Sequence, residues 1–142
     1  MKINSVLATK GKGVISIGQH RSIKDAVALL SKHNMGALVV TGDAGGLLGI
    51  LSERDIVRKA AEIEDILSQS VSRVMTRNVI TSRPHDDLES VANTMTEKRF
   101  RHLPVVYQEE LVGMISIGDV VKAQRDQFRG EIDTLQMQML EE

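Results

Sequence analysis

Two short stretches hold the residues best suited to chemistry. In Leu111-Val112-Gly113-Met114-Ile115-Ser116-Ile117-Gly118-Asp119 an apolar run of strand character ends on a serine. An aspartate follows three residues later, where an amphipathic helix begins. The pattern has already occurred once, as Leu47-Leu48-Gly49-Ile50-Leu51-Ser52-Glu53-Arg54-Asp55. Each copy presents a hydroxyl and a carboxylate at the C-terminal end of a strand and in the first turn of a helix. The unpaired amides of that turn make such a corner a natural seat for an anionic ligand. Ser and Asp also cap helices, so one Ser-x-x-Asp says little. Two copies in register, each after a glycine-containing strand, say much more.

The elements that must position these corners repeat with them. Ser22 can cap a helix running to about Asn34, with Ile23, Ala26, Val27 and Leu30 at i, i+3, i+4, i+7 spacing. A short strand over Val14–Ile17 precedes it, and Gly36 is expected to end it. Ala37–Val40 reads as a buried strand, Thr41–Gly46 as a turn, and Leu47–Leu51 as the next strand. A helix then opens at Asp55 with Ile56, Val57 and Ala60. After a polar connector the order recurs: a strand over Val79–Thr81, a helix with Leu88, Val91, Ala92 and Met95, and strands over Leu103–Val106 and Leu111–Ile115. Pro104 suits an edge position. The unit is β-α-β-β-α, twice, and a unit this small must pack against its copy to bury its sheet. The expected fold is α+β, two repeats related by pseudo-two-fold symmetry plus a C-terminal helix. Repeat one with its lead-in and connector would span 1–68, repeat two 69–125, and the extension 126–142. Along the last helix, from about Val120 onward, Val121, Phe128, Ile132, Leu135 and Met139 follow a 4-3 alternation interrupted by Arg125, suited to docking on another helix or on the chain's own body. Gly130 predicts a kink or fraying there.

Composition removes several function classes. One Tyr, two Phe and no Trp leave almost no stacking platform for single-stranded nucleic acid, and a net charge of -1 gives no general pull toward nucleic acid or anionic membrane. No cysteine excludes disulfides and thiolate chemistry and fits a reducing compartment. The apolar part of the N-terminus is too short for a signal peptide, and no run approaches a membrane span. The expectation is a soluble cytoplasmic protein. His20, His33 and His85 have no second ligand at metal spacing, so no metal site is expected. Lys10-Gly11-Lys12-Gly13 reads as a loop, without the Gly-Lys-Ser/Thr of a phosphate loop. No nucleophile stands beside a base, and an enzyme is not expected.

The Ala37-Leu38-Val39-Val40 and His102-Leu103-Pro104-Val105-Val106 strands, with the doubled Gly-apolar-apolar-Ser-x-x-Asp, resemble the CBS domain, named after cystathionine β-synthase. Two such units in tandem are similar to a Bateman module. The resemblance covers roughly Val6 to Gln124. It implies regulatory binding of an adenine nucleotide between the repeats: AMP first, with ADP, ATP or NAD as candidates. It also implies that the motif Asp takes the ribose hydroxyls, that the Ser and nearby basic residues hold phosphate, and that the other repeat supplies apolar and backbone contacts to the base. One site would then use Asp119, Ser116, Arg101, His102 and Met114, with Ile15, Met35, Gly36 and Lys10 across from them. The second would use Asp55, Ser52, Arg54 and Ile50, with Val79, Ile80, Phe100 and Arg101.

The two half-sites differ. Repeat two carries Arg101-His102 where repeat one carries Gly36-Ala37, whereas Arg54 precedes Asp55 where Gly118 precedes Asp119. A guanidinium grips phosphate bidentately, while His102 adds charge only when protonated. On that count the Asp119 site is expected to be the better mononucleotide pocket, and the Asp55 site weaker or suited to a larger ligand reaching Arg54. A homodimer assisted by the C-terminal helix is expected. The alternative reading is an adaptor with an empty cleft that binds an effector protein. A third, nucleic-acid binding through Arg54, Arg58, Lys59, Arg73 and Arg77, sits poorly with the balanced charge.

Overall fold

In the computed structural model, residues 1–11 and 13–141 are described. Helix α1 (Ile3–Lys10) leads into strand β1 (Ser16–Gly18), helix α2 (Ile23–His33), strands β2 (Ala37–Thr41) and β3 (Leu47–Ser52), and helix α3 (Glu53–Ala60). A 3-10 turn (Ile66–Ser68) and the short helix α4 (Val71–Val74) connect to helix α5 (Leu88–Lys98), strands β4 (His102–Tyr107) and β5 (Glu110–Ser116), and helix α6 (Ile117–Glu141). In the first sheet β1 runs parallel to β2, and β2 antiparallel to β3; the second sheet is the antiparallel pair β4–β5. The register slips at matching places, between Val40 and Thr41 and between Val105 and Val106.

Local signals place most of these elements. The Ser22 hydroxyl accepts a hydrogen bond from the Asp25 amide (3.1 Å), capping α2 as expected. Ile23, Ala26 and Leu30 are buried along it, while Val27 stays exposed. The helix ends before Gly36. Asn34 takes the left-handed conformation (φ 51°), which Asn tolerates through its short polar side chain, so Asn34 and not Gly36 is the stop. The first strand sits later than expected, at Ser16–Gly18. The expected strand over Val79–Thr81 does not form; in its place Ser82 makes a single parallel bridge to Val105. Its amide donates to the Pro104 carbonyl (2.9 Å) and its carbonyl accepts from the Val106 amide (2.8 Å). Pro104, which has no N–H to give, lies in a strand whose outer side carries only that bridge. Of the loop expected over Lys10–Gly13, Lys10 ends α1 and Lys12 lies outside the described residues.

The repeats exchange pieces. Ile3 and Val6 of α1 are buried among Leu88, Met95, Leu103, Ile115 and Val120 of repeat two. Val71, Val74 and Met75 of the α4 segment are buried among Ile23, Leu38 and Leu51 of repeat one. Between the two cores Ala37, Val39 and Ile50 meet Met114, with Val14, Met35, Leu47, Val79 and Leu111 packed around them. Each repeat thus completes its core with a segment that precedes the other in sequence, which ties the pair together.

Helix α6 continues without a break through Gly130, for 25 residues or about 37 Å at the usual rise. A glycine inside a helix costs only about 1 kcal/mol, and the expected kink is absent because good helix formers flank it on both sides. Val121, Phe128, Ile132, Leu135 and Met139 are each more than half exposed along it. No described helix is long and apolar enough to cross a membrane.

Candidate functional site

The two Ser-x-x-Asp corners are built alike. Ser52 is the N-cap of α3: its hydroxyl accepts from the Asp55 amide (3.1 Å), and Asp55 Oδ2 accepts from the Ser52 amide (2.9 Å). Ser116 and Asp119 repeat both bonds at the same lengths. The helix at the first corner therefore begins at Glu53, and the Asp sits in its first turn, reaching back to the strand end. Capping and ligand binding are compatible here: the serine hydroxyl proton remains to face a ligand in the positive field of the helix start, and the carboxylate oxygen not used in the cap carries at Asp55 only the Thr76 hydroxyl.

What faces each corner differs. At the first, Thr76 pairs its backbone with Ile50 (amide to carbonyl 2.8 Å, carbonyl from amide 3.0 Å), and its hydroxyl donates to Asp55 Oδ1 at 3.2 Å. This close approach needs Gly49, where a Cβ would collide with the Thr76 carbonyl. At the second corner Lys10 Nζ donates to the Met114 carbonyl (2.7 Å) and to Asp119 Oδ2 (2.7 Å).

A cleft of about 520 Å³ opens at the Asp55 corner. All eight residues expected for the second site line it: Ile50, Ser52, Arg54, Asp55, Val79, Ile80, Phe100 and Arg101. Gly36 and His102 from the first set line it too, whereas Lys10, Ile15, Met35, Met114, Ser116 and Asp119 do not. Ile15 packs against the core of repeat one, Met35 against that core and the seam, and Met114 is buried in the seam. Lys10 is laid against the Asp119 corner, while Arg101 and His102, expected at that corner, line the cleft at Asp55. Glu53, Val57, Arg58, Thr76, Asn78 and Arg99 also line the cleft and were not foreseen. Arg58 lies one helical turn beyond Arg54, a spacing visible in the sequence; Arg99 directly precedes Phe100, at the left-handed end of α5 (φ 56°).

Electrostatics follow from these neighbours. Burial, reinforced by the positive charges of Lys10 and Arg101, holds the His102 imidazole below its ordinary pKa, against the opposing pull of Glu53 and Asp119. His102 is thus neutral at pH 7. For Asp119 burial pushes the carboxyl up, but the Lys10 ammonium and the Ser116 amide outweigh it and leave the pKa lowered. Around the cleft stand four guanidiniums, from Arg54, Arg58, Arg99 and Arg101, and two carboxylates, from Glu53 and Asp55. Among the described residues no group of three or more His, Cys, Asp or Glu is placed to hold a metal ion.

Both halves of the chain match the family model of the CBS domain, over residues 9–62 and 71–126. The chain belongs to the CBS-domain family. It is 35% identical to the mitochondrial CBS domain-containing protein CBSX3 of Arabidopsis thaliana, across 94% of this chain and 69% of that protein. A crystal structure of a CBS-domain containing protein from Agrobacterium tumefaciens superposes with a TM-score of 0.83 at 42% identity, covering 87% of this chain and 92% of that one. The CBS domain pair of protein MJ0100, solved in complex with 5′-methylthioadenosine and S-adenosyl-L-methionine, superposes with a TM-score of 0.78 at 26% identity, covering 89% of this chain and 98% of that one. These CBS pairs share the two-repeat architecture described above, and the pair with MJ0100 shows that the fold accommodates adenosine-containing ligands in that protein.

Proposed function

We propose that this CBS pair is a regulatory module that binds an adenine nucleotide in the cleft at Asp55. The observation that carries the reading is the composition of that cleft. A Ser-Asp corner on a helix start shares the cleft with four guanidiniums, Arg54 and Arg58 from its own helix and Arg99 and Arg101 from the other repeat, and with the apolar side chains of Ile50, Val79, Ile80 and Phe100. Asp55 would accept the ribose hydroxyls, the arginines would hold phosphate, and the apolar side chains would take the flat base. The cleft volume lies within the range of about 300–1,000 Å³ usual for small-molecule sites.

Charge narrows the ligand. With His102 neutral, the four arginines exceed Glu53 and Asp55 by two positive charges. A phosphate monoester carries about −1.5 to −2 near pH 7, so one terminal phosphate matches the cleft. AMP is therefore the leading ligand, ahead of ADP, ATP and NAD. Because the cleft draws Asp55 from one repeat and Arg99 to His102 from the other, a bound nucleotide would bridge the two and favour their closed arrangement. The shift so produced is limited to the ligand's preference for that arrangement, typically 1–3 kcal/mol. Such a site serves regulation, with an effector protein as recipient. The exposed stripe on α6 supports a homodimer, and the cysteine-free composition fits the cytoplasm.

Titration calorimetry with AMP and 5′-methylthioadenosine tests the reading. AMP is expected to bind more tightly by tenfold or more, about 1.4 kcal/mol, because only AMP engages the arginines. Equal affinity, or binding of neither, would contradict it.

A further inference from the structure

We propose that Lys10 holds the second corner shut, so that each chain takes one nucleotide and not two. The inference rests on the nucleotide reading above and concerns the corner which that reading leaves aside. The Ser116–Asp119 corner has the same two capping bonds, at the same lengths, as the Ser52–Asp55 corner. Nothing in its own construction disqualifies it.

The difference lies in the group laid against it. Asp55 meets a neutral hydroxyl, Thr76 Oγ1, at 3.2 Å, which a ribose hydroxyl can displace without leaving a charge unpaired. Asp119 meets an ammonium at 2.7 Å, on the carboxylate oxygen that already takes the Ser116 amide. The same ammonium also donates to the Met114 carbonyl, the counterpart of the Ile50 carbonyl that accepts from the Thr76 amide. Lys10 and Thr76 thus stand in equivalent places, one charged and one not.

Lys10 is also delivered to that place. The Ile3 and Asn4 amides donate to the carbonyls of Asp86 (3.0 Å) and Pro84 (2.8 Å), and Ile3 and Val6 are buried in the core of repeat two. Leu7 lies directly over Gly113, where a Cβ would stand 2.6 Å from its Cδ2. The end of α1 is therefore fixed on β5, next to the corner. The side chains of Lys10 and Asp119 remain 33% and 24% exposed, so the contact lies at the surface and is not part of the core. A partly exposed ion pair contributes little to stability, which makes it removable.

Calorimetric stoichiometry with AMP, on the full chain, tests the proposal. Lys10→Ala removes the ammonium while keeping α1, since alanine is the best helix former; Lys10→Arg retains a cation. Wild type and Lys10→Arg are expected to bind one AMP per chain and Lys10→Ala two, the second lost again on adding Asp119→Ala. Should Lys10→Ala fail to fold by circular dichroism, the shorter, neutral Lys10→Gln takes its place with the same expectation. One AMP on the neutral variant, or two on wild type, would overturn the role of Lys10 and leave the nucleotide reading standing. Absence of binding in every variant would overturn that reading and this proposal together.

Discussion

The His102 imidazole packs against Gly36: a Cβ on Gly36 would stand 3.4 Å from both its Cε1 and its Nε2. Packing across the two repeats at this point is what buries His102 and, with Lys10 beside it, lowers its pKa. The unfolded chain takes up a proton as pH falls through about 6.5, whereas the folded chain refuses it until lower pH. The contribution of His102 to stability is therefore complete above that range and is lost as pH falls below it. Melting temperature is expected to drop as pH falls below about 6.5, and to drop less in His102→Gln. The Asp119 carboxyl, lowered from 3.8, acts in a separate window: its contribution is present above that value and lost as pH falls through the lower folded pKa. Identical pH profiles for wild type and His102→Gln would remove the first of these assignments.

Gly49 and Gly113 occupy the same place in the two motifs but meet different neighbours. A methyl at Gly49 would strike the Thr76 carbonyl, a backbone atom held by its bridge to Ile50, whereas a methyl at Gly113 would press on the end of the Leu7 side chain. Backbone cannot rotate away and a leucine can. Gly49→Ala is expected to cost about 1–3 kcal/mol in urea denaturation, as overpacking usually does, and Gly113→Ala measurably less. The reverse order would show that the α1 contact, and not the Thr76 bridge, is the tighter one.

Along α6 the side chains of Phe128, Ile132 and Leu135 are exposed at the spacing of a coiled-coil seam, and Gly130 lies off that seam. If two chains pair through this stripe, Ile132→Asp and Leu135→Asp should each convert a two-chain mass in light scattering to a one-chain mass. AMP affinity should stay unchanged, because α6 lines no part of the cleft. A variant that remains two-chain would place the dimer interface elsewhere.

Much of the fold was legible because its signals are local. Ser22 announces a helix start through its own hydroxyl, and Ala37–Val40 announces a strand buried on both faces. The doubled Ser-x-x-Asp located both corners, and the resemblance to the CBS domain supplied Val79, Ile80, Phe100 and Arg101, which line one cleft with Arg54. What was not legible depends on partners distant in sequence. Val79–Thr81 has strand-forming residues, but β4 beside it is met by Ser82 alone, while Val79 packs into the seam and Val79 and Ile80 line the cleft. The two-turn helix at Ile3–Lys10 gives no sign of which core it will join. Its seat on repeat two brings Lys10 to Asp119, a contact between residues 109 apart in the chain, on which the proposed difference between the corners rests.

The most direct test of the account compares AMP binding by Asp55→Ala and Asp119→Ala in calorimetry. Both substitutions remove a capping carboxylate, so both should lower stability by a similar amount, about 1 kcal/mol. Their effects on the ligand should part. A hydrogen bond to a charged group contributes about 1.5–3 kcal/mol, so Asp55→Ala is expected to weaken AMP by at least tenfold, while Asp119→Ala leaves it within about twofold. Loss of binding in Asp119→Ala with binding retained in Asp55→Ala would contradict the assignment of the nucleotide to the Asp55 cleft.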